Sequence, residues 1–355
     1  MKGCEAVSES AIRAGCRFFA GYPITPQNEV PEYFARRMPS VKGVFIQGES
    51  EVASANMVYG AAASGVRCMT SSSSCGISLK SEAISFMAGA RLPVVLANFQ
   101  RGGPGIGTIQ PAQQDYNQAT KASGNGGFRM LVLSPSDLQE AVDMTYRAFD
   151  LADKYQNPVM LLLDGFTGAM MEPVILPEAK TDEELDAIRA TKTYATTGKK
   201  GGKQHKVICG PGLDTRVSQE EMNRRDAKMY EGWETDEIDY EEFLIDDAEL
   251  ILTAYGITGR IAKSAVKLLR AEGYKVGLIR PRTIYPFSKV AFDNLDYGKI
   301  RGILSAEMAI PEQFSTDVKT AVCGRTKVET ALSSGGNILD RGYIIEQAKK
   351  LYGDK

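Results

Sequence analysis

Two carboxylates, Glu49 and Glu51, close the run Val44-Phe45-Ile46-Gln47-Gly48-Glu49-Ser50-Glu51-Val52, in which a short apolar strand passes straight into a helix. A carboxylate at such a join can exchange a proton or a hydrogen bond with a ligand. It can equally sit there only to oppose the helix dipole, an effect of ~0.3–1 kcal/mol, and spacing by itself favours that plainer explanation. Other catalytic side chains are scarce. The only histidine, His205, falls in the basic, glycine-rich residues 199–206, which read as a loop. Chemistry must therefore rest on carboxylates, hydroxyls, arginine or a borrowed cofactor. Arg101 follows an apolar strand in Gln100-Arg101-Gly102-Gly103-Pro104-Gly105, where its planar fork could clamp a carboxylate. The glycines after it match neither the dinucleotide fingerprint nor a Walker motif. The run Ser71-Ser72-Ser73-Ser74-Cys75-Gly76 brings more hydroxyls to a helix start than one cap uses, so an anion or a polar ring could lie there as readily as a capping cluster. In Gly21-Tyr22-Pro23-Ile24-Thr25-Pro26, Thr25 reads as an N-cap with Pro26 at the first helical position.

These residues need elements to hold them. Strands are expected at 18–22, 67–70, 93–99, 130–133 and 159–163, alternating with helices at 5–14, 51–64, 77–90 and 138–154, the last opened by a capping box from Ser136. Pro31 should make the helix after Pro26 irregular in its second turn. Strict alternation argues for a doubly wound, largely parallel sheet, whose ligands bind beyond the carboxyl ends of the strands. The polar, glycine-rich loop 102–127 is long enough to suggest a functional role. Residues 180–247 are dense in charge and read as a linker with some helix, the acidic run 236–247 being a solvated face or a partner-facing arm. A second α/β unit follows from Leu250, with a helix at 258–272, strands at 276–279 and 300–305, and a helix at 313–322. The expected division is 1–185, 186–247 and 248–355.

At 355 residues with 43% hydrophobic and 24% charged side chains, the chain suits two globular domains. A net charge of −2 gives no reason to expect nucleic acid. No apolar run approaches the ~18 residues of a membrane span, and Glu5 and Glu9 interrupt any signal peptide, so a cytoplasmic protein with no membrane partner is expected. The six cysteines include no Cys-x-x-Cys pair, so spacing encodes neither zinc nor an iron–sulfur cluster. Free, mostly buried thiols are expected.

The motifs at residues 21–26, 47–51, 70–76 and 101–105 stand in the order seen in α subunits of 2-oxoacid:ferredoxin oxidoreductases, which the chain resembles over nearly its whole length. Within that family it is most similar to the branched-chain (3-methyl-2-oxobutanoate) enzyme and next to the 2-oxoglutarate enzyme. One departure is Glu307-Met308-Ala309-Ile310-Pro311-Glu312-Gln313, where the family often has a glycine-containing turn. The resemblance implies a thiamine-diphosphate-type pyrimidine domain followed by a smaller transketolase C-terminal-like α/β domain. It implies that Glu51 contacts the pyrimidine ring nitrogen, that Arg101 and Thr25 hold the substrate carboxylate and keto group, that Pro23 and Tyr22 shape the wall, and that Pro23, Thr25 and Arg101 join Glu51 in binding the cofactor. No Gly-Asp-Gly diphosphate motif is present, so the resemblance assigns Mg2+ to a β subunit and [4Fe-4S] clusters to γ and ferredoxin-like δ subunits, with coenzyme A taking the acyl group and ferredoxin the electrons. The rivals are a transketolase-like or acyl-dehydrogenase subunit, which would usually enlist histidines, and a non-catalytic docking subunit.

Overall fold

The computed structural model describes residues 1–199, 204–208 and 218–353; Cys209 and residues 200–203 of the expected basic loop lie outside the described residues. The first unit runs α1 (Gly3–Arg13), β1 (Phe18–Gly21), α2 (Glu29–Arg37), β2 (Val44–Gln47), α3 (Glu51–Ala63), β3 (Cys68–Ser72), α4 (Cys75–Gly89) and β4 (Val95–Gln100). It continues through α5 (Tyr116–Thr120), β5 (Leu131–Leu133), α6 (Leu138–Tyr155), β6 (Val159–Asp164) and α7 (Gly165–Ala169). Next come α8 (Asp182–Thr191), α9 (Gln219–Asp236), β7 (Tyr240–Phe243), β8 (Leu250–Thr253), α10 (Gly256–Ala271), β9 (Val276–Pro281) and β10 (Thr283–Tyr285). The chain closes with α11 (Lys289–Asp293), β11 (Gly302–Glu307), α12 (Phe314–Val322), β12 (Val328–Leu332) and α13 (Arg341–Tyr352).

The larger sheet has seven strands in the order β10-β5-β6-β4-β3-β1-β2, all parallel except β10. Strands β4 and β6 are buried along their whole length, because α1, α2 and α6 pack on one face and α3 and α4 on the other. From β1 the chain steps outward to β2 and then returns to the other side of β1 as β3. That reversal opens a crevice at the carboxyl ends of β1 and β3, the topological position where α/β sheets bind ligands. The second sheet has the order β12-β11-β8-β9-β7, parallel except β7.

Several expectations need correction. Thr25 and Pro26 do not start α2: they form a turn closed by the Gln27 N–H donating to the Ile24 carbonyl (3.0 Å), and the helix begins at Glu29. Gln27 turns its side chain inward to Ser71, which holds the chain off the helical path. Pro31 then falls in the first turn, where no N–H is required, so it disturbs nothing. The cap of α6 is Asp137, which accepts from the Glu140 N–H (2.8 Å), rather than Ser136.

The acidic run 236–247 is solvated only in part: Asp236, Glu242, Asp246 and Asp247 are exposed, but the other carboxylates are not. Glu237 is buried and accepts from Arg147, Lys154 and Tyr155, each at 2.7 Å, while Glu241 on β7 binds Arg280 (2.7 Å) and Lys263. Just upstream, Trp233 is fully buried between Tyr155 and Tyr230. Charge density here reflects ion pairs that anchor the excursion to both sheets. Several elements escaped the sequence reading, among them the short α5, α7, β7 and α11. Strand β10, three residues between two prolines, leaves the second unit and pairs antiparallel with β5 of the first sheet; β12 and α13 extend the second unit beyond residue 322.

The two units are keyed together by Gln113, in the long loop after β4. Its Nε2 donates to the Tyr255 carbonyl (3.0 Å), and its Oε1 accepts from the Met308 N–H (3.0 Å) and Thr258 Oγ1 (2.7 Å). The departure at 307–313 has its own explanation: the Glu307 carboxylate accepts the N–H groups of Gln313, Phe314 and Ser315 (2.9–3.2 Å), capping α12 from within. A second joint links Glu140 of α6 to Arg280 of β9 through a two-bond fork (2.6 and 2.9 Å). Burial alone would raise the Glu140 carboxyl, but the Arg280 fork and Ser136 bring it down to about 2. A carboxyl lowered in the folded state stabilises the protein above its unfolded value and loses that contribution as the pH falls toward 2. Acid unfolding followed by circular dichroism should therefore show roughly 2 kcal/mol, discounted for partial exposure, disappearing between pH 4.5 and 2 in the wild type but not in Glu140→Gln.

Candidate functional site

Strand β2 delivers the pair of carboxylates and the local sequence separates them. Ser50 caps α3, its hydroxyl accepting from the Ala53 N–H (3.1 Å), so the chain turns at Gly48-Glu49-Ser50. Glu49 is left exposed on that turn, whereas Glu51, the first residue of α3, is only 6% exposed. A bland dipole partner would face water as Glu49 does. Among the described residues, no protein group hydrogen-bonds the Glu51 carboxyl. Gly76 packs closely against it: a Cβ there would lie 2.1 Å from Ser72 Oγ and 2.8 Å from Glu51 Oε1, so only glycine leaves room for the carboxyl. The hydroxyls of Ser72 and Ser73 are buried without partners.

The serine run is therefore not a capping cluster. Ser71 donates to Gln27, and Ser74, the residue before α4, makes no cap bond. Ser74 instead holds a strained backbone (φ 36°, ψ −92°). Its N–H donates to Asn98 Oδ1 (3.0 Å), its hydroxyl donates to Asp115 Oδ2 (2.6 Å) and accepts from the Arg101 N–H (3.0 Å). Asn98 also donates to Asp115 (3.0 Å). Burial raises the Asp115 carboxyl above its usual value against the pull of Ser74, Asn98 and Arg101.

That network fixes Arg101 at the end of β4. Its Nη1 donates to the Thr25 carbonyl (2.9 Å) and its Nη2 to Cys75 Sγ (3.0 Å) and the Ile106 carbonyl (3.2 Å). Its Nε is buried with no partner. A buried donor without an acceptor is costly, by ~1–3 kcal/mol or more when charged. The fold thus brings Arg101 into contact with Thr25 and, through Cys75-Gly76 of α4, to the neighbourhood of Glu51. Tyr22 and Pro23 are exposed at the same strand-end edge. Sequence reasoning singled out the run holding Ser74 and Cys75 without its bracing role, and it missed Asn98, Asp115 and Gln27, because strand-end polar residues carry no periodic signal. It also missed Lys80, for which there was one: Lys80 recurs in phase with Ile77, Ile84 and Met87 on the buried side of α4.

The site thus presents a buried carboxyl without a protein hydrogen bond and a guanidinium with one unpartnered donor. Residues 9–242 match the family model for the pyruvate flavodoxin/ferredoxin oxidoreductase thiamine-diphosphate-binding domain, and residues 248–342 match core domain II of pyruvate:ferredoxin oxidoreductase. The chain is 43% identical to the ketoisovalerate oxidoreductase subunit VorB of Methanothermobacter thermautotrophicus, covering 100% of this chain and 98% of that protein. It is 33% identical to the 2-oxoglutarate synthase subunit KorA of the same organism, covering 99% and 98%. Among solved structures, the 2-oxoglutarate:ferredoxin oxidoreductase from Magnetococcus marinus superposes with a TM-score of 0.83 at 26% identity, over 99% of this chain and 64% of that one. This chain therefore spans about 64% of the length of that oxidoreductase chain. Among the described residues no helix is long and apolar enough to cross a membrane. The chain belongs to the pyruvate flavodoxin/ferredoxin oxidoreductase family, as a 2-oxoacid oxidoreductase subunit built on the thiamine-diphosphate-binding fold.

Proposed function

We propose that this chain is the α subunit of a branched-chain 2-oxoacid:ferredoxin oxidoreductase, converting an acid such as 3-methyl-2-oxobutanoate and coenzyme A to acyl-CoA, carbon dioxide and reduced ferredoxin. The observation that carries the reading is the buried Glu51 carboxyl, free of protein hydrogen bonds at the β1/β3 switch point. In this role Glu51 holds the pyrimidine nitrogen of thiamine diphosphate and exchanges a proton with it. Thiamine diphosphate supplies the electron sink that decarboxylation requires. Arg101 takes the substrate carboxylate through its guanidinium, Thr25 offers its hydroxyl to the keto oxygen, and Pro23 and Tyr22 form the wall. On the Arg101 loop, Ile106 and Ile109 are 82% and 56% exposed, an apolar surface suited to a branched side chain rather than a second carboxylate.

A separate β subunit closes the site and carries the diphosphate and Mg2+. Helices α3 and α4 flank Glu51 and are apolar on nearly every side, yet Val52, Leu79 and Phe86 are 43%, 54% and 51% exposed. A helix apolar all round is made to be covered. Clusters of the [4Fe-4S] type belong, in this reading, to γ and δ subunits that pass electrons to ferredoxin. The test is to co-purify the native complex, record its iron–sulfur absorption and assay a panel of 2-oxoacids for coenzyme A-dependent dye reduction. Branched-chain acids should give the highest kcat/KM, at least tenfold above 2-oxoglutarate, since one misplaced charge in an apolar pocket exceeds ~1.4 kcal/mol. A preference for 2-oxoglutarate would transfer the chain to that branch of the family, and activity in a colourless, solitary chain would overturn the reading.

A further inference from the structure

Lys80 is a fully buried cation that the site as described does not use. It lies on α4, and its ammonium reaches across to α3 and β3. Three oxygens meet its three N–H groups: Thr70 Oγ1 at 2.9 Å, and Ser54 Oγ and the Glu51 carbonyl at 3.4 Å each. Both hydroxyls direct their own protons elsewhere, Thr70 to the Ala20 carbonyl and Ser54 to the Ser50 carbonyl, each at 2.7 Å. Their lone pairs are thereby left for Lys80. The cage is built for an ammonium, yet it contains no carboxylate oxygen.

A buried charge without an ion pair is expensive to keep. Burial lowers Lys80 to about 8, and the charge that opposes the lowering is Glu51. The other elements around it offer little else that titrates. Strand β3 contributes Cys68, two residues before Thr70, whose thiol burial pushes far up; β1 contributes a carbonyl; Glu82 of α4 faces solvent. A hydrophobic side chain in phase with Ile77 and Ile84 would stabilise the fold better. Keeping a lysine there points to a requirement for its charge.

We propose that Lys80 is a positioning residue for Glu51: it ties the first turn of α3 to β3 and sets a positive charge behind the Glu51 carboxyl, so that a proton shared with a bound ring is drawn toward the ring. This rests on the assignment of Glu51 to a cofactor nitrogen made above. Removing the charge takes away that pull on the shared proton.

The test uses wild type, Lys80→Met and Lys80→Gln in the complete complex; glutamine keeps a donor for Thr70 but no charge, and it serves if the methionine variant does not fold. The first readout is independent of activity. A lysine lowered in the folded state penalises stability below its folded value and is relieved as the pH rises toward its unfolded value, so between pH 8 and about 10.5 the thermal midpoint of wild type should rise relative to both variants. Parallel curves would overturn the proposal. The second is the acid limb of kcat against pH, expected to move up by about one unit in both variants, a tenfold loss at the low-pH end. A uniform loss at every pH, or full recovery of the limb in Lys80→Gln, would show a merely structural contact and overturn it. Glu51→Gln separates the two layers: if that variant binds thiamine diphosphate by calorimetry and turns over like wild type, the cofactor assignment falls. If it is inactive while the Lys80 variants keep the wild-type profile, only the Lys80 proposal falls.

Discussion

Replacing Glu51 with glutamine should lower turnover of the assembled enzyme by about 10²–10⁴-fold, the range lost when a positioned proton-transfer group is removed. The chain should remain folded and its partners bound. Both halves of that expectation come from the same geometry. The carboxyl of Glu51 makes no hydrogen bond to the described protein, the cap of α3 is Ser50, and Lys80 reaches the Glu51 carbonyl rather than its side chain. No hydrogen bond depends on the carboxylate, although its charge opposes that of the buried Lys80. Removing a buried acid favours the fold while losing that opposing charge disfavours it, so Glu51→Gln should melt close to the wild-type temperature.

The contrast with Glu49 makes the expectation sharp. Glu49 stands two residues earlier and is exposed on the turn. Glu49→Gln should change kcat by less than about twofold, as for surface substitutions away from a site. A helix-dipole role for Glu51 predicts the reverse, with a stability loss of ~0.3–1 kcal/mol and normal turnover. Measuring kcat, melting temperature and subunit stoichiometry on the two variants distinguishes the alternatives. Near-normal turnover in Glu51→Gln removes the basis of the functional assignment.

How far the sequence discloses this arrangement depends on whether a feature leaves a local trace. The passage from a short apolar run to a 3.6-residue apolar period around Gly48 locates the β2–α3 join, and the proline and glycine runs after β1 and β4 locate the other strand ends. Which of the two glutamates is buried has no such trace. It is decided by the Ser50 cap, which orients the first turn of α3, and by Gly76, whose missing Cβ leaves room for the carboxyl from a neighbouring helix. The misread start of α2 has a similar origin. Thr25-Pro26 satisfies every local rule for a helix start, but Gln27 is bound to Ser71 of β3, and that tertiary contact outranks the local preference. Residues 236–247 were legible only in part, because density of charge does not say which carboxylates face water, as Asp236 and Asp246 do, and which meet Arg147, Lys154 and Arg280. Strand β10 is legible only from the sheet it joins, since three residues carry no period.

The second large effect concerns Arg101. Arg101→Gln should lower kcat/KM for every 2-oxoacid by about 10²–10³-fold, consistent with the ~2–5 kcal/mol lost when one member of a buried, hydrogen-bonded charge pair is truncated. The loss should be nearly the same across substrates, because the group recognised is the carboxylate they share and not the side chain in which they differ. It should fall mainly on KM if the guanidinium grips substrate and transition state alike. Arg101→Lys is expected to recover little. A lysine can bring a charge, but it cannot at once reach the Thr25 carbonyl, Cys75 Sγ and the Ile106 carbonyl that fix the guanidinium plane, and still offer a donor to the ligand. The backbone half of the Ser74–Asp115 clamp survives both substitutions, since Ser74 binds the Arg101 peptide N–H. Affinity for thiamine diphosphate, measured by calorimetry, should accordingly change less than threefold, a difference below ~0.7 kcal/mol. If cofactor affinity fell in parallel with kcat/KM, Arg101 would be a strut of the crevice and not its substrate anchor. If kcat/KM fell only for branched acids, the guanidinium would be reading the side chain, and the orientation of substrate proposed here would have to be reversed.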